Sequence, residues 1–344
     1  MHADAQVGQR FDGVQVGSIA HGGHWVARVE GRVVFVRDAL EGETVSIVLT
    51  RVAKRHAFAD VVEVTVPSPH RVQPPCPVAG TCGGCDFQHV DVAHQRELKR
   101  QVVAEHLSRF AQINWEGGVE SFDDDALGWR RRMRYHAGPS GWGLRARGSH
   151  EAVVLPADGC RIAAREVAQP NHQAADAAAE AFAAVEGDTL VGALAAEGPV
   201  WVAPGDDRIV TEQAAGRTWQ VRADGFWQVH PAAPDALVDA VLAGVEPRAG
   251  ESAFDLYCGV GLFAGALVDA GVRVICVEGG RDAVELARRN VAGARFRAGS
   301  VDRVLPRLPG STDIVVLDPP RAGAGATVIA QVCARRPRVV AYVA

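Results

Sequence analysis

Short runs of alternating hydrophobic and polar residues fill the first 66 positions of the chain, and glycine-rich turns separate them. Alternation with a period of two is typical of half-buried β-strands, and several short strands at this spacing are typical of a small barrel. The pattern ends before Pro67. Residues 1–66 are therefore predicted to form a small β-barrel.

The pattern changes after residue 251 to longer apolar runs that alternate with helix-like segments. The run AFDLYCGVGLF begins as a buried strand, breaks at a turn that contains Gly259 and Gly261, and continues as a helix. Further strands and helices alternate as far as the run VVAYVA. This order predicts a doubly wound parallel sheet.

Two carboxylates follow strands of this predicted sheet. Glu278 ends the apolar run after the glycine turn, where a carboxylate can accept hydrogen bonds from two ribose hydroxyls. Asp318 starts the turn Asp-Pro-Pro-Arg, whose prolines fix a carboxylate at the edge where ligands bind. A nucleotide-like ligand suits both positions. On these residues alone a nicotinamide-dependent oxidoreductase is also open, and a Pro-Pro pair also occurs in ordinary turns.

Length and composition describe a globular protein of two or three domains, since 344 residues with 48% hydrophobic content can bury a large core. No run approaches the roughly 20 apolar residues of a membrane helix, and the N-terminus lacks a signal pattern. We therefore expect a cytoplasmic protein without a membrane partner. With a net charge of −5, contact with a polyanion has to come from local basic patches.

Two such patches are present. Arg51, Lys54 and Arg55 lie on one predicted barrel strand and its turn, as either a solvated edge or an RNA-contacting face. The densest basic run is WRRRMRY, with aromatic residues at both ends. RNA contact is favoured there over a solvated face, and the candidate residues are Arg130, Arg131, Arg132 and Arg134.

Three of the seven cysteines fall within ten residues, in CPVAGTCGGC, and a fourth stands in PADGCRI. Only one Cys-x-x-Cys pair exists, so the spacing suits an iron–sulfur cube better than a zinc ribbon. The predicted ligands are Cys76, Cys82, Cys85 and Cys160. Burial of small residues explains Cys160 alone equally well, and His89 and His94 are weaker substitute ligands.

The segment ADGFWQVHP precedes the last domain and places Gln228 after an aromatic pair. An aromatic pair with an amide can clamp a planar ligand, although aromatics at a domain boundary also serve in packing. The residues alone leave the two interpretations equal.

Two resemblances bring these segments together. GGHWVARVEGRVVFV and ALEGE resemble a TRAM domain, an RNA-binding barrel. Over nearly its whole length, the chain also resembles the S-adenosylmethionine-dependent RNA (uracil-C5)-methyltransferases. The motifs that carry this resemblance are, in chain order, CPVAGTCGGC with Cys160, FWQVHP, FDLYCGVGLF, VEGG and LDPPRAG.

The resemblance implies an α/β protein in three parts: a TRAM-like, OB-like barrel (1–66), a central α+β domain with a 4Fe–4S cluster and the basic patch (67–222), and a class I methyltransferase domain that binds S-adenosylmethionine (223–344). The implied cofactor and target-base residues are Gln228, Tyr257, Glu278, Ser300 and Asp318. Leu262 replaces an asparagine that is common in the family, which removes one expected hydrogen bond.

The implied reaction is methyl transfer to carbon 5 of a uridine. A cysteine thiolate adds to carbon 6, the resulting enolate takes the methyl group, and a base removes the carbon 5 proton. A flipped-out or unpaired uridine in RNA is required, and barrel and cluster together resemble the branch that acts on 23S ribosomal RNA.

The family places its nucleophilic Cys and basic Glu after the strand matched by VVAYVA, so both are expected beyond Ala344. Cys258, Cys276 and Cys333 do not match the nucleophile. A C-terminally truncated, inactive chain is therefore expected. Alternatives are a non-catalytic fragment that binds cofactor and RNA, methylation of tRNA or of another base, and, more weakly, the oxidoreductase. The sequence leaves the oligomeric state open.

Overall fold

The computed structural model describes residues 5–122, 126–170 and 189–344. Within them, residues 5–122, 126–128 and 135–162 form one compact unit, and residues 129–134, 163–170 and 189–344 form another. The division of the chain at residues 66 and 222 stays a prediction. No helix in the described residues has the length and apolarity needed to span a membrane.

The first unit begins with five strands that close into a barrel in the order β1-β2-β3-β5-β4. Their bounds are β1 (Arg10–Ala20), β2 (His24–Val29), β3 (Arg32–Arg37), β4 (Thr44–Val52) and β5 (His56–Val66). Alternate residues point inward around the fully buried Trp25. The predicted barrel is confirmed. One feature differs from a simple series of hairpins, namely that β3 and β5 pair in parallel.

A helix covers part of this barrel. The helix α1 (Val92–His106) begins where the Asp91 carboxylate accepts a hydrogen bond of 2.8 Å from the His94 N–H, a typical N-cap. Leu98 packs into the barrel core. The unit also contains the end of β6 (Arg132–Gly138), which pairs with β7 (Gly141–Arg145), and β8 (Ala152–Val154), which pairs with β7.

The second unit opens with two antiparallel hairpins. They are formed by β9 (Thr189–Ala195) with β10 (Gly198–Val202), and by β11 (Ile209–Ala214) with β12 (Arg217–Arg222). The helix α2 (Ala233–Val245) follows and packs into the core below the parallel sheet through Val238, Val241 and Val245.

The parallel sheet has the strand order β15-β14-β13-β16-β17. In chain order its elements are β13 (Ser252–Leu256), α3 (Leu262–Asp269), β14 (Arg273–Glu278), α4 (Arg281–Asn290), β15 (Arg295–Ala298), α5 (Val301–Val304), β16 (Ile314–Leu317), α6 (Ala326–Ala334) and β17 (Val339–Tyr342). The doubly wound sheet is confirmed. Its five strands pair without interruption, which gives no support to the expectation of an incomplete sheet.

The strand order reverses at β13, because the chain leaves it first toward β14 and later returns to its other side as β16. Ligands of doubly wound sheets bind beside such a switch point, at the carboxyl ends of the strands. The candidate site is therefore expected where β13, β14 and β16 end.

Candidate active site

A cavity of about 830 Å³ lies at the carboxyl ends of the parallel strands. The five residues that the sequence predicts for cofactor and base all line it, namely Gln228, Tyr257, Glu278, Ser300 and Asp318. Tyr257, Glu278 and Asp318 stand at the ends of β13, β14 and β16, and Ser300 follows β15. The sheet thus brings together residues that are far apart in the sequence, while their roles stay predictions.

The loop between β13 and α3 forms one wall of the cavity. Gly259 and Gly261 have φ angles of 53° and 99°, which are left-handed values that glycine adopts without strain. A Cβ atom on Gly261 would lie 3.0 Å from Val291 Cγ2, a tight contact that the valine side chain would have to relieve, so glycine also suits the packing there. Tyr257 has a φ of 65° without being glycine. Such strain is typical of residues held in place for function.

Glu278 fixes this loop to the neighbouring strand. One carboxylate oxygen accepts a hydrogen bond of 3.0 Å from the Gly259 N–H, and the other accepts one of 2.7 Å from the Gly280 N–H. Each oxygen keeps a second lone pair for a ligand. Glu278 therefore holds the loop in place and can also accept hydrogen bonds from hydroxyl groups.

The cavity is also lined by a second carboxylate and an exposed aromatic ring. Burial raises the pKa of Asp318 above its usual range. Phe226 is 75% exposed, whereas its neighbour Trp227 is buried and its ring packs 6.1 Å from that of Trp219. The cavity thus offers a carboxyl group, the Gln228 amide and a flat apolar surface, a set that suits a planar polar ligand.

Asp255 is a residue whose environment the sequence did not reveal. It lies in the middle of β13 with no exposed surface, and neither carboxylate oxygen has a hydrogen-bond partner with ordinary geometry. Burial raises its pKa to about 7, although the nearby Ala264 N–H lowers it somewhat. The sequence feature that could have indicated a buried carboxylate is the presence of a charged residue inside the apolar run AFDL.

Comparison with known proteins identifies the family. An RNA methyltransferase of Streptomyces avermitilis is 42% identical over 98% of this chain and 89% of that protein. The 23S rRNA (uracil(1939)-C(5))-methyltransferase of Shewanella amazonensis is 30% identical over 90% of this chain and 81% of that protein. The chain belongs to the family of RNA (uracil-C5)-methyltransferases.

Two further findings agree with this family. Residues 4–62 match the TRAM domain. The crystal structure of the Pyrococcus abyssi tRNA (uracil-54, C5)-methyltransferase, in complex with S-adenosyl-L-homocysteine, has a TM-score of 0.70 over 96% of this chain and 89% of that chain. It is 21% identical, so it shows a shared fold. This chain covers 89% and 81% of the lengths of the two relatives, which gives no support to the expectation of a truncated, inactive enzyme.

The two cysteines near the methyltransferase cavity are not thiolates. A hydrogen bond to the Cys276 sulfur, followed by burial, raises the pKa of Cys258. The same hydrogen bond lowers the pKa of Cys276, but burial and the nearby Asp255 carboxylate together raise it overall. Because only the thiolate is a strong nucleophile, the raised pKa of each makes it a poor nucleophile, while the position of the catalytic cysteine stays a prediction.

The four cysteines predicted as cluster ligands line one small cavity in the first unit. None of the four forms a disulfide bond, and burial raises the pKa of Cys85 to about 11 and also raises that of Cys82. Within residues 5–122, 126–170 and 189–344, however, no group of three or more potential ligands is placed to hold a metal ion. The arrangement gathers the donors but does not support the predicted 4Fe–4S cluster. His89 is buried and its ring nitrogen contacts the Ala39 carbonyl at 3.1 Å.

The basic run requires a correction at Arg132. Its side chain is 7% exposed, pairs with Glu212 at 2.9 Å and donates to the carbonyls of Arg222, Ala223 and Gly225. A guanidinium held in this way is not open to RNA. Arg131 lies 3.5 Å from the same Glu212 carboxylate.

The rest of the run differs. Arg130 is partly exposed and donates to the Arg132 carbonyl at 3.1 Å, whereas Arg134 is exposed. RNA contact by Arg130, Arg131 and Arg134 stays a prediction.

Proposed function

We propose that this methyltransferase transfers a methyl group from S-adenosylmethionine to carbon 5 of a uridine in RNA, with 23S ribosomal RNA as the substrate. The observation that carries the proposal is the 830 Å³ cavity at the strand ends. It gathers the glycine loop, two carboxylates and an amide in one place, in a chain that belongs to the RNA (uracil-C5)-methyltransferases.

The loop and Glu278 fit the methyl donor. Gly259 lines the cavity and has no side chain, so a nucleoside can approach the backbone closely at this point. Glu278 stands where the two hydroxyls of a ribose can donate to its oxygens. When bound, S-adenosylmethionine supplies an electrophilic methyl group on a sulfonium.

Gln228, Asp318 and Phe226 fit a uracil base. The Gln228 amide can both donate and accept, as the N3–H and carbonyl edge of uracil requires. Asp318 is partly buried, which raises its pKa, and its carboxyl oxygens can accept a hydrogen bond from the base. Phe226 lines the same cavity and offers a flat apolar face. A base in this cavity has to leave its helix, so an unpaired or flipped uridine is the substrate.

The ribosomal target is supported by the Shewanella relative, whose name specifies 23S rRNA. Transfer RNA is the alternative, because the Pyrococcus protein of the same fold is named for a tRNA uridine. The same cavity serves both substrates, so the choice depends on RNA contacts elsewhere.

The test uses the full chain, methyl-tritiated S-adenosylmethionine and three RNAs: a 23S ribosomal transcript, unmodified tRNA and a transcript without uridine. Tritium transfer to the ribosomal transcript, with 5-methyluridine found by mass spectrometry after digestion, is expected. Transfer to tRNA alone would overturn the ribosomal assignment. Binding of cofactor and RNA without transfer would favour the non-catalytic alternative, and a product other than 5-methyluridine would overturn the proposed reaction.

The iron–sulfur cluster is a separate prediction, which rests on the cysteine spacing alone, since the described residues place no group of ligands to hold a metal ion. Protein purified without oxygen would contain about four iron and four sulfide per chain and absorb visible light. Zinc, or the absence of metal, would show this prediction to be wrong without affecting the proposed reaction.

A further inference from the structure

Asn290, the last residue of α4, joins β12 to the glycine loop. Its Oδ1 atom accepts a hydrogen bond of 2.8 Å from the Gln220 N–H on β12. Its Nδ2 atom donates to the Gln220 carbonyl at 3.0 Å and to the Val260 carbonyl in the loop at 3.1 Å. Because both carbonyls need a donor and the Gln220 N–H needs an acceptor, the amide fits in one orientation only.

At Gln220 the Asn290 amide takes the place of a neighbouring strand. β12 pairs with β11 in a two-stranded sheet, so backbone groups on its other edge need partners outside that sheet. The amide supplies a donor and an acceptor to one residue, as a paired strand does. The end of α4 is thereby fixed to β12 by directional contacts.

The two segments that Asn290 joins both lead to the cavity at the strand ends. Val260 lines this cavity, and so do Phe226 and Gln228 in the segment that follows β12. Asn290 itself is not one of the lining residues. Any effect of its side chain on the reaction therefore has to act through the loop and through β12.

The segment after β12 is a rigid extension of that strand. Arg132 donates to three of its carbonyls, those of residues 222, 223 and 225. The Trp227 ring packs 6.1 Å from the ring of Trp219 on β12, and both rings are buried. A displacement of β12 therefore moves Phe226 and Gln228 with it.

Other contacts hold the β11–β12 hairpin near the sheet without setting its position against the loop. Arg217 pairs with Asp269 at 2.5 Å and Arg222 with Asp282 at 3.4 Å, but the two aspartate side chains are 56% and 71% exposed. Exposed ion pairs of this kind contribute little. Packing of buried rings is not directional, whereas the three hydrogen bonds of Asn290 are.

We propose that Asn290 is a positioning residue for methyl transfer, which fixes the distance between the glycine loop and the segment that carries Phe226 and Gln228. This proposal rests on the proposed function, because that function assigns the loop to the methyl donor and the segment to the uridine. The Asn290 amide then sets the distance from the donated methyl group to carbon 5 of the base.

Such a role affects the rate more than cofactor binding. Glu278 still holds the loop through the Gly259 N–H when Asn290 is changed, so the site for the methyl donor is kept. A displacement of about 1 Å between reacting groups costs about 100-fold in rate. We therefore expect kcat to fall while the KM for S-adenosylmethionine stays nearly constant.

The experiment uses the full chain and two variants, Asn290→Ala and Asn290→Asp. Alanine removes all three hydrogen bonds. Aspartate has the same shape and still accepts from the Gln220 N–H, but its carboxylate cannot donate to the two carbonyls. The matched control is Asp269→Asn, which removes the charge of the ion pair with Arg217 on the same hairpin and does not touch the loop.

Steady-state methyl transfer to a uridine-containing RNA gives kcat and KM, and calorimetry with S-adenosylhomocysteine gives the number of binding sites per chain. In both Asn290 variants kcat per binding site should fall about 10- to 100-fold. The KM for S-adenosylmethionine should stay within about threefold, and the control within about twofold in both constants. A general loss of folding would instead reduce the number of binding sites.

Hydrogen exchange with S-adenosylhomocysteine bound tests the same link without the reaction. Amides of residues 220–228 should exchange faster in Asn290→Ala than in the wild type, because the Gln220 N–H loses its acceptor and the strand its fixed edge. Asp269→Asn should leave this exchange unchanged.

Equal kcat per binding site in the wild type and both Asn290 variants would overturn the proposal and leave the proposed function intact. So would a loss of cofactor affinity that accounts for the whole loss of rate, since Asn290 would then act on the donor alone. If the wild type transfers no methyl group to RNA, the proposed function fails. Unchanged exchange at residues 220–228 would then also disprove the link made by Asn290, and faster exchange would support it.

Discussion

The Glu278 carboxylate accepts a 3.0 Å hydrogen bond from the Gly259 N–H, and this bond joins the end of β14 to the glycine loop of β13. A single acidic side chain thus shapes the loop and faces the cavity. Loss of this side chain should weaken ligand binding in two ways, because the loop loses a hydrogen bond and the cavity loses an acceptor for the ligand.

Glu278→Ala should weaken binding of S-adenosylmethionine about 10- to 100-fold, since hydrogen bonds to charged groups contribute about 1.5–3 kcal/mol. Glu278→Gln keeps one acceptor oxygen and should have a smaller effect. Isothermal titration calorimetry with the cofactor measures both. The control is Glu285→Gln on the exposed face of α4. Unchanged affinity in Glu278→Ala would remove this residue from the site.

Gly261→Ala should destabilise the fold by about 1–3 kcal/mol, because alanine is strained at a φ of 99° and its Cβ would press on Val291. Gly244→Ala is the matched control with the opposite sign. Gly244 lies in α2, and its added Cβ meets no atom within 4 Å. It should stabilise the protein by about 0.5–1 kcal/mol. Urea unfolding distinguishes the two, and equal effects would contradict the role of the Gly261 conformation.

Asp255 should make the stability depend on pH. Its pKa is raised to about 7 in the folded protein from 3.8, so between these values the folded chain binds a proton that the unfolded chain has lost. The free energy of unfolding therefore falls as the pH rises from 4 to 7, and by linkage the fall reaches about 4 kcal/mol.

Asp255→Asn should abolish this dependence and be more stable than the wild type at pH 8, with little difference at pH 4. Chemical unfolding across this pH range is the measurement. Asp239→Asn, at an exposed position of α2, should leave the slope unchanged. A wild type whose stability rises from pH 4 to pH 7 relative to Asp255→Asn would show that the carboxylate is charged and stabilised in the fold.

Substitution of Arg132 should reduce the stability of the fold, whereas substitution of Arg134 should leave stability unchanged. Arg132→Met leaves the Glu212 carboxylate buried beside only Arg131 at 3.5 Å, and loss of one partner of a buried pair costs about 3–5 kcal/mol. The double change Arg132→Met with Glu212→Leu should recover much of this loss. Arg134→Gln should unfold like the wild type.

In the same variants, RNA affinity is measured as a function of salt. If Arg134 contacts a phosphate, Arg134→Gln lowers the slope of log affinity against log salt by about one. An unchanged slope would exclude this contact. Normal stability of Arg132→Met would contradict the structural role of its ion pair.

The sequence predicted the parallel sheet and the gathering of the cavity residues because both follow from local rules. A strand that ends in Glu278 and another that ends before Asp318 must meet at one edge if they are parallel, whatever the loops between them do. The alternation of apolar and polar residues likewise predicts the barrel, because it shows within each strand which side chains point inward.

Long-range partners could not be predicted in this way. The alternation around Arg132 does not reveal that Glu212, 80 residues later, lies opposite it. Asp255 is visible as an acid within an apolar run, but its lack of a partner is a property of the packed core. Phe35 and Phe58 become neighbours only because β3 and β5 pair in parallel, which consecutive hairpins would not produce.

Closure of the barrel limits how anything can recognise it. Each of its five strands has a neighbour on both sides, so its backbone donors and acceptors are used within the barrel. No extended peptide or strand from another chain can add to it by backbone pairing. Selectivity at this surface is therefore set entirely by side chains, and a few substitutions on its outer face can redirect it to another ligand while the fold stays the same.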